Sequence, residues 1–149
     1  MAETTRSLQP QFAMPDTSSL NHLAVLIATL SAFALGAVWY SPGLCGRAWL
    51  RECGFTEELL RQQGGMGRIF AGAFLLEYVM AYNLAAFLGP NASLAFGLRA
   101  GVAAGLGWVA LAFGVTYLFE RRSWRLFLIN AGYHAVAFTL MGAILGAWR

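Results

Sequence analysis

Four long apolar runs, at about 22–40, 69–88, 98–119 and 126–148, divide the chain and are separated by short polar stretches. Each is close to the roughly 20 residues that a helix needs to cross the hydrocarbon core of a bilayer. Lipid offers the backbone no hydrogen-bond partner, so such segments cross as helices that satisfy themselves internally. The pattern predicts an all-α, integral membrane four-helix bundle at 22–149, behind a polar leader at 1–21 that holds Pro10 and Pro15. The first run is about a full span and continues directly into Trp39-Tyr40-Ser41-Pro42. A cleaved signal peptide has a shorter apolar core, so this segment is expected to stay in the membrane.

Small residues recur at helical spacing. Ala24, Ala28, Ala32 and Gly36 fall every four residues in the first span, Gly97, Gly101 and Gly105 do so in the third, and Gly142 and Gly146 add a step in the fourth. Steps of four lie on one helix face, where small residues let two backbones approach closely. These faces exceed what one small bundle needs, which predicts packing in a homo-oligomer or against other membrane-protein subunits. Between the first two spans, Ser41-Pro42-Gly43 breaks the helix, and Trp49, Leu50 and Cys53 share one side of a short interfacial helix. Thr56 is placed to cap a second short helix, with Glu57 and Glu58 in its first turn and Gly64-Gly65 at its end.

Composition strengthens the membrane reading. The 149 residues are 58% hydrophobic and 11% charged, whereas about a quarter of a soluble domain's residues carry charge. Four such runs cannot all be buried in a water-soluble fold of this size, so a lipid bilayer must cover them. The ten basic residues are all Arg: Arg47, Arg51, Arg61, Arg68, Arg121, Arg122 and Arg125 share one side of a four-span topology, against Arg6, Arg99 and Arg149 on the other. The positive-inside rule then puts the seven-Arg side in the cytoplasm and both termini outside it, in a bacterial inner membrane. No basic patch interleaved with aromatics lies outside the membrane ends, so nucleic acid is not an expected partner. Cys45 and Cys53 are eight residues apart, neither CxxC nor a zinc spacing, and are expected as free thiols.

The candidate chemistry is confined to polar residues inside the spans. Glu77 lies near the middle of the second span, where an ionised carboxylate costs roughly 2.5 to 3.5 kcal/mol on the insertion scale, so it is expected neutral or paired. In the four-span topology the second and fourth spans run in the same direction, and His134 matches Glu77 in depth, each about 12 Å from its span's start. A Glu77 to His134 hydrogen bond is therefore available if the two helices are neighbours, with Asn130 one turn away to orient the imidazole or to bond across to another helix. His22 stands at the opposite membrane edge, so the two histidines cannot both ligate one haem within a chain, and no cofactor or metal is expected. The chain holds no Ser-His-Asp order, Walker loop or defensible carboxylate pair, so an enzyme is not expected.

Two stretches carry a resemblance. Trp39-Tyr40-Ser41-Pro42 with Gly46 and Trp49, and Asn130-Ala131-Gly132-Tyr133-His134 with Met141-Gly142-Ala143-Ile144-Leu145-Gly146-Ala147-Trp148, resemble the membrane family catalogued as domain of unknown function 1761. The resemblance spans about 21–149, implies a four-helix membrane protein and imports no activity. Against that family's usual pattern, His22 stands where an aromatic is common, Cys45 where Phe is common, and Glu77 where an uncharged residue is expected. The resulting functional expectation is a non-enzymatic helix-packing or accessory subunit of a membrane assembly. The alternative is a proton-coupled small-solute carrier that uses Glu77 and His134.

Overall fold

The computed structural model describes residues 20–148. The expected leader therefore lies outside the described residues except for Leu20 and Asn21, as do Arg6 and Arg149. The described residues form six helices and no strand. These are α1 (His22–Trp39), α2 (Gly46–Cys53), α3 (Glu57–Gln63), α4 (Met66–Leu88), α5 (Leu94–Phe119) and α6 (Trp124–Ala147). α1, α4, α5 and α6 are each long and apolar enough to cross a membrane. The protein is a small multi-pass membrane protein.

Side-chain caps set where the helices begin. Asn21, Thr56, Ser93 and Ser123 accept hydrogen bonds from the backbone N–H groups of Ala24, Leu59, Phe96 and Leu126 at 3.0, 3.1, 3.3 and 3.1 Å. Each satisfies a donor that the first helical turn leaves unpaired, an effect of about 1 kcal/mol. Ser93 and Ser123 start α5 and α6 four and two residues before the apolar runs at 98 and 126, since a cap and not hydropathy fixes the first turn. At the other junctions the chain turns at Gly65 and Gly89, with φ of 75° and 72°, a conformation that costs glycine little.

α6 is the hub and packs against all three other spans and α2. Against α5 the two backbones touch. An added Cβ on Gly105 would stand 2.9 Å from Ala135 Cα, and one on Gly146 would stand 2.7 Å from the Ser93 carbonyl oxygen. Gly97 faces the Gly142 carbonyl and Gly101 the Phe138 carbonyl with still less room. The same logic holds for α1, whose Ala24, Ala28 and Ala32 are buried. The small-residue faces, expected to offer surplus packing surface to a partner, are thus turned inward and used within this chain. Outside, Leu75, Leu76, Leu111 and Val115 are exposed, as lipid-facing side chains are.

α5 also contains a feature that the apolar pattern does not announce. From Ala103 to Ala110 its hydrogen bonding is of the π type. Buried positions follow four-residue steps at Gly97, Gly101 and Gly105 and then take a five-residue step to Ala110. Trp108, on this segment, is 72% exposed at mid-helix.

The contrast between facing and outward glycines is testable. Gly101→Ala should destabilise the bundle by about 1–3 kcal/mol or more, because the obstacle is backbone that cannot rotate away. Gly107, which meets nothing within 4 Å, should accept Ala within about 0.5 kcal/mol or with a gain. Thermal unfolding of both variants in one detergent checks the difference; equal stabilities would contradict the packing.

Candidate functional site

The polar side chains of the bundle gather where the end of α1 meets the first half of α6. The corner after α1 is tight: the backbone N–H groups of Cys45 and Gly46 donate to the carbonyls of Trp39 and Ser41, both at 3.0 Å. A Cβ on Gly46 would lie 2.8 Å from the Ser41 carbonyl oxygen, so only glycine lets α2 start there. This corner aims Trp39 and Tyr40 at α6. The Trp39 indole N–H donates to the Ile129 carbonyl at 3.0 Å, and its ring passes over Gly132, where a Cβ would come within 3.2 Å. Tyr40 donates to Asn130 Oδ1 at 2.9 Å, and Asn130 Nδ2 donates to the Tyr117 hydroxyl of α5 at 2.7 Å. One amide thereby joins three spans.

One turn deeper, the buried Tyr133 ring lies 5.4 Å from that of Tyr40. Its hydroxyl sits between two acceptors, the Ala32 carbonyl of α1 at 3.2 Å and Glu77 Oε1 of α4. Glu77 is 8% exposed, and its Oε2 is buried without a hydrogen-bond partner.

The expected contact between Glu77 and His134 is therefore replaced by one between Glu77 and Tyr133. Depth matching found the right turn of α6 but not the right face. Successive helical residues point about 100° apart, so Tyr133 and His134 cannot both face α4. His134 turns to α5, where its ring stacks on Phe113 at 5.1 Å and 21°. Of the two roles open to Asn130, it bonds across to other helices and does not orient the imidazole, because both ends of its amide are engaged by Tyr40 and Tyr117. Trp39, Tyr40, Tyr117 and Tyr133 are the site residues that spacing alone did not single out. The signal available was that the Trp39-Tyr40 and Asn130 to His134 stretches carried the family resemblance together, and they meet here.

Outside the spans, α2 is tied to the α5–α6 loop by the Ser123 hydroxyl, which donates to Glu52 at 2.5 Å. Cys45 and Cys53 are free thiols. Burial pushes the Cys53 thiol up, Arg122 opposes the shift and Glu52 adds to it. Among the described residues, no group of three or more metal-ligating side chains is placed to hold an ion.

A family model described as a protein of unknown function, DUF1761, matches residues 23–146. The chain belongs to the DUF1761 family. No curated protein and no solved structure matches it. The matched stretch contains both halves of the junction, so this DUF1761 chain carries within the family region the corner, the Asn130 bridge and the Glu77–Tyr133 contact.

Two measurements check the site. Asn130→Ala should cost about 1–2 kcal/mol, and its double-mutant cycle with Tyr40→Phe should show coupling of about 0.6 kcal/mol, the scale of interspan hydrogen bonds. Additive variants would mean that the bond makes no contribution. In a Cys45→Ser background, alkylation of Cys53 should follow a thiolate fraction that rises at higher pH than for an ordinary thiol of about 8.5. Arg122→Gln should move that midpoint further up, since it removes the charge favouring the thiolate. A midpoint at or below the ordinary value would contradict the burial of Cys53.

Proposed function

We propose that this DUF1761 protein is a non-enzymatic helix-packing or accessory subunit of a membrane assembly, resident in a bacterial inner membrane with both termini outside the cytoplasm. The orientation is supported by the Ser123–Glu52 link, which holds α2 and the α5–α6 loop at the same end. By sequence that end carries seven of the ten Arg.

The observation that carries the packing role is Trp108. It stands on the outer face of α5, 14 residues after Leu94 and 11 before Phe119, far from the interfaces where exposed tryptophan usually resides. Its indole forms no hydrogen bond among the described residues, and hydrocarbon supplies none. A transmembrane helix of another subunit that offers an acceptor oxygen would satisfy it and cover the ring, the kind of anchor on which interfaces depend. Gly107 beside it leaves room for that approach.

Trp108→Phe keeps the apolar bulk and removes the N–H. After mild solubilisation, the wild type should travel in a larger assembly that the variant leaves, while unfolding of the bundle itself is unchanged. A photo-crosslinking residue at Leu111, one turn along the same face, should capture the partner helix. A wild type that is monomeric and uncrosslinked in native membranes would overturn this role.

A proton-coupled small-solute carrier is the second reading, favoured by the unpartnered Oε2 of Glu77. With His134 turned toward Phe113, Tyr133 replaces it as the group beside the carboxyl. Uptake into proteoliposomes that responds to pH and is abolished by Glu77→Gln would establish it; equal uptake by the variant would remove it.

A further inference from the structure

Tyr133 Oη has one proton and two acceptors within reach, the Ala32 carbonyl and Glu77 Oε1. If Glu77 were ionised, that single proton could serve only one of them, and Oε2 would remain a charged oxygen, buried and unpartnered. No cation compensates among the described residues. Glu77 forms no ion pair among the described residues; Arg68 and Arg125 are exposed near the starts of α4 and α6, and the other titratable groups brought by the neighbouring spans are engaged elsewhere. From α1, His22 stacks on Tyr82 of α4 and Tyr40 is bonded to Asn130. From α6, His134 lies on Phe113. From α5, Tyr117 is held by Asn130, and Arg99 donates to the Ala95 carbonyl. With a proton on Oε1, the two bonds run as a chain in which Glu77 donates to Tyr133 Oη and Tyr133 donates to the Ala32 carbonyl, and the unpartnered Oε2 is left as an uncharged carbonyl oxygen.

We propose that Glu77 and Tyr133 form an intramembrane proton-binding site, in which the Glu77 carboxyl carries an exchangeable proton donated to Tyr133 Oη. The ligand is the proton itself, taken from and returned to bulk water. On release, the O–H bond of the carboxyl breaks and the proton goes to water. Tyr133 then turns its own hydroxyl proton from the Ala32 carbonyl to the carboxylate, with no oxidation or reduction. The Glu77–Tyr133 bond is the only side-chain hydrogen bond that ties α4 to another span among the described residues. Occupancy of the site therefore sets which of the two residues donates in that tie. The site stands independently of both functional readings above.

Infrared spectroscopy of the full-length protein in lipid nanodiscs tests it. The wild type should show, at neutral pH, the carbonyl-stretch band of a protonated carboxyl, and carbon-13 labelling of glutamate should shift that band. Glu77→Gln, nearly isosteric with the protonated acid, should lose it. Transfer to deuterated water should lower its frequency as the proton exchanges, and Tyr133→Phe should change its frequency by removing the acceptor. Absence of a glutamate-dependent band would overturn the proposal by showing an ionised Glu77. A band that ignores deuterated water would overturn it by showing a sealed proton, and one that ignores Tyr133→Phe by showing a different partner.

Discussion

A polar group inside the hydrocarbon must find its partner on the protein, and the arrangement of the four spans follows from that demand. The indole of Trp39, the amide of Asn130 and the hydroxyls of Tyr40, Tyr117 and Tyr133 each bond across to another span. Apolar packing alone would not fix which helix neighbours which, since lipid tails are as apolar as leucine. The hydrogen bonds do fix it, because a helix rotated by one residue would strand its polar groups. α6 carries most of these partners and therefore occupies the middle.

Close packing completes what hydrogen bonding selects. Toward the end where α5 begins, α5 and α6 hold no polar bridge among the described residues, and glycines bring their backbones together so that many weak contacts act at once. Toward the end where α1 stops, aromatic rings fill the space, and Gly46 and Gly132 are small because a ring or a turn must pass over them. The two ends of one bundle thus use glycine for different reasons. At one end it allows helix to meet helix; at the other it allows a corner and an indole to reach their acceptors.

Helix number and approximate extent were legible because the length of an apolar run is set by the bilayer. Helix starts were less so, as Ser93 and Ser123 show, because a single capping oxygen outweighs the hydropathy of the next few residues. The direction in which Gly97, Gly101 and Gly105 face was not legible at all. Lipid and protein interior are both apolar, so hydropathy around the helix does not separate inside from outside. The Glu77 partner was missed by one residue for a related reason: sequence spacing gives depth, while azimuth depends on how α6 is turned by Trp39, Asn130 and the glycines. The π segment leaves no mark in composition that distinguishes it from ordinary small-residue helix.

The uneven distribution of ties singles out α4. α1, α5 and α6 are joined by indole, amide and hydroxyl bonds and by backbone contact. α4 leans on α1 through edge-to-face ring contacts such as those of Phe33 with Phe70 and Phe74. Its polar attachment to the other spans among the described residues is Glu77, and an acid is the one kind of attachment here whose strength a proton can change. A structural bond with no other duty would be served at least as well by an amide, which makes the same hydrogen bonds without the charge. The proton-binding site proposed for Glu77 and Tyr133 thus falls on the span that has the fewest polar ties to its neighbours among the described residues.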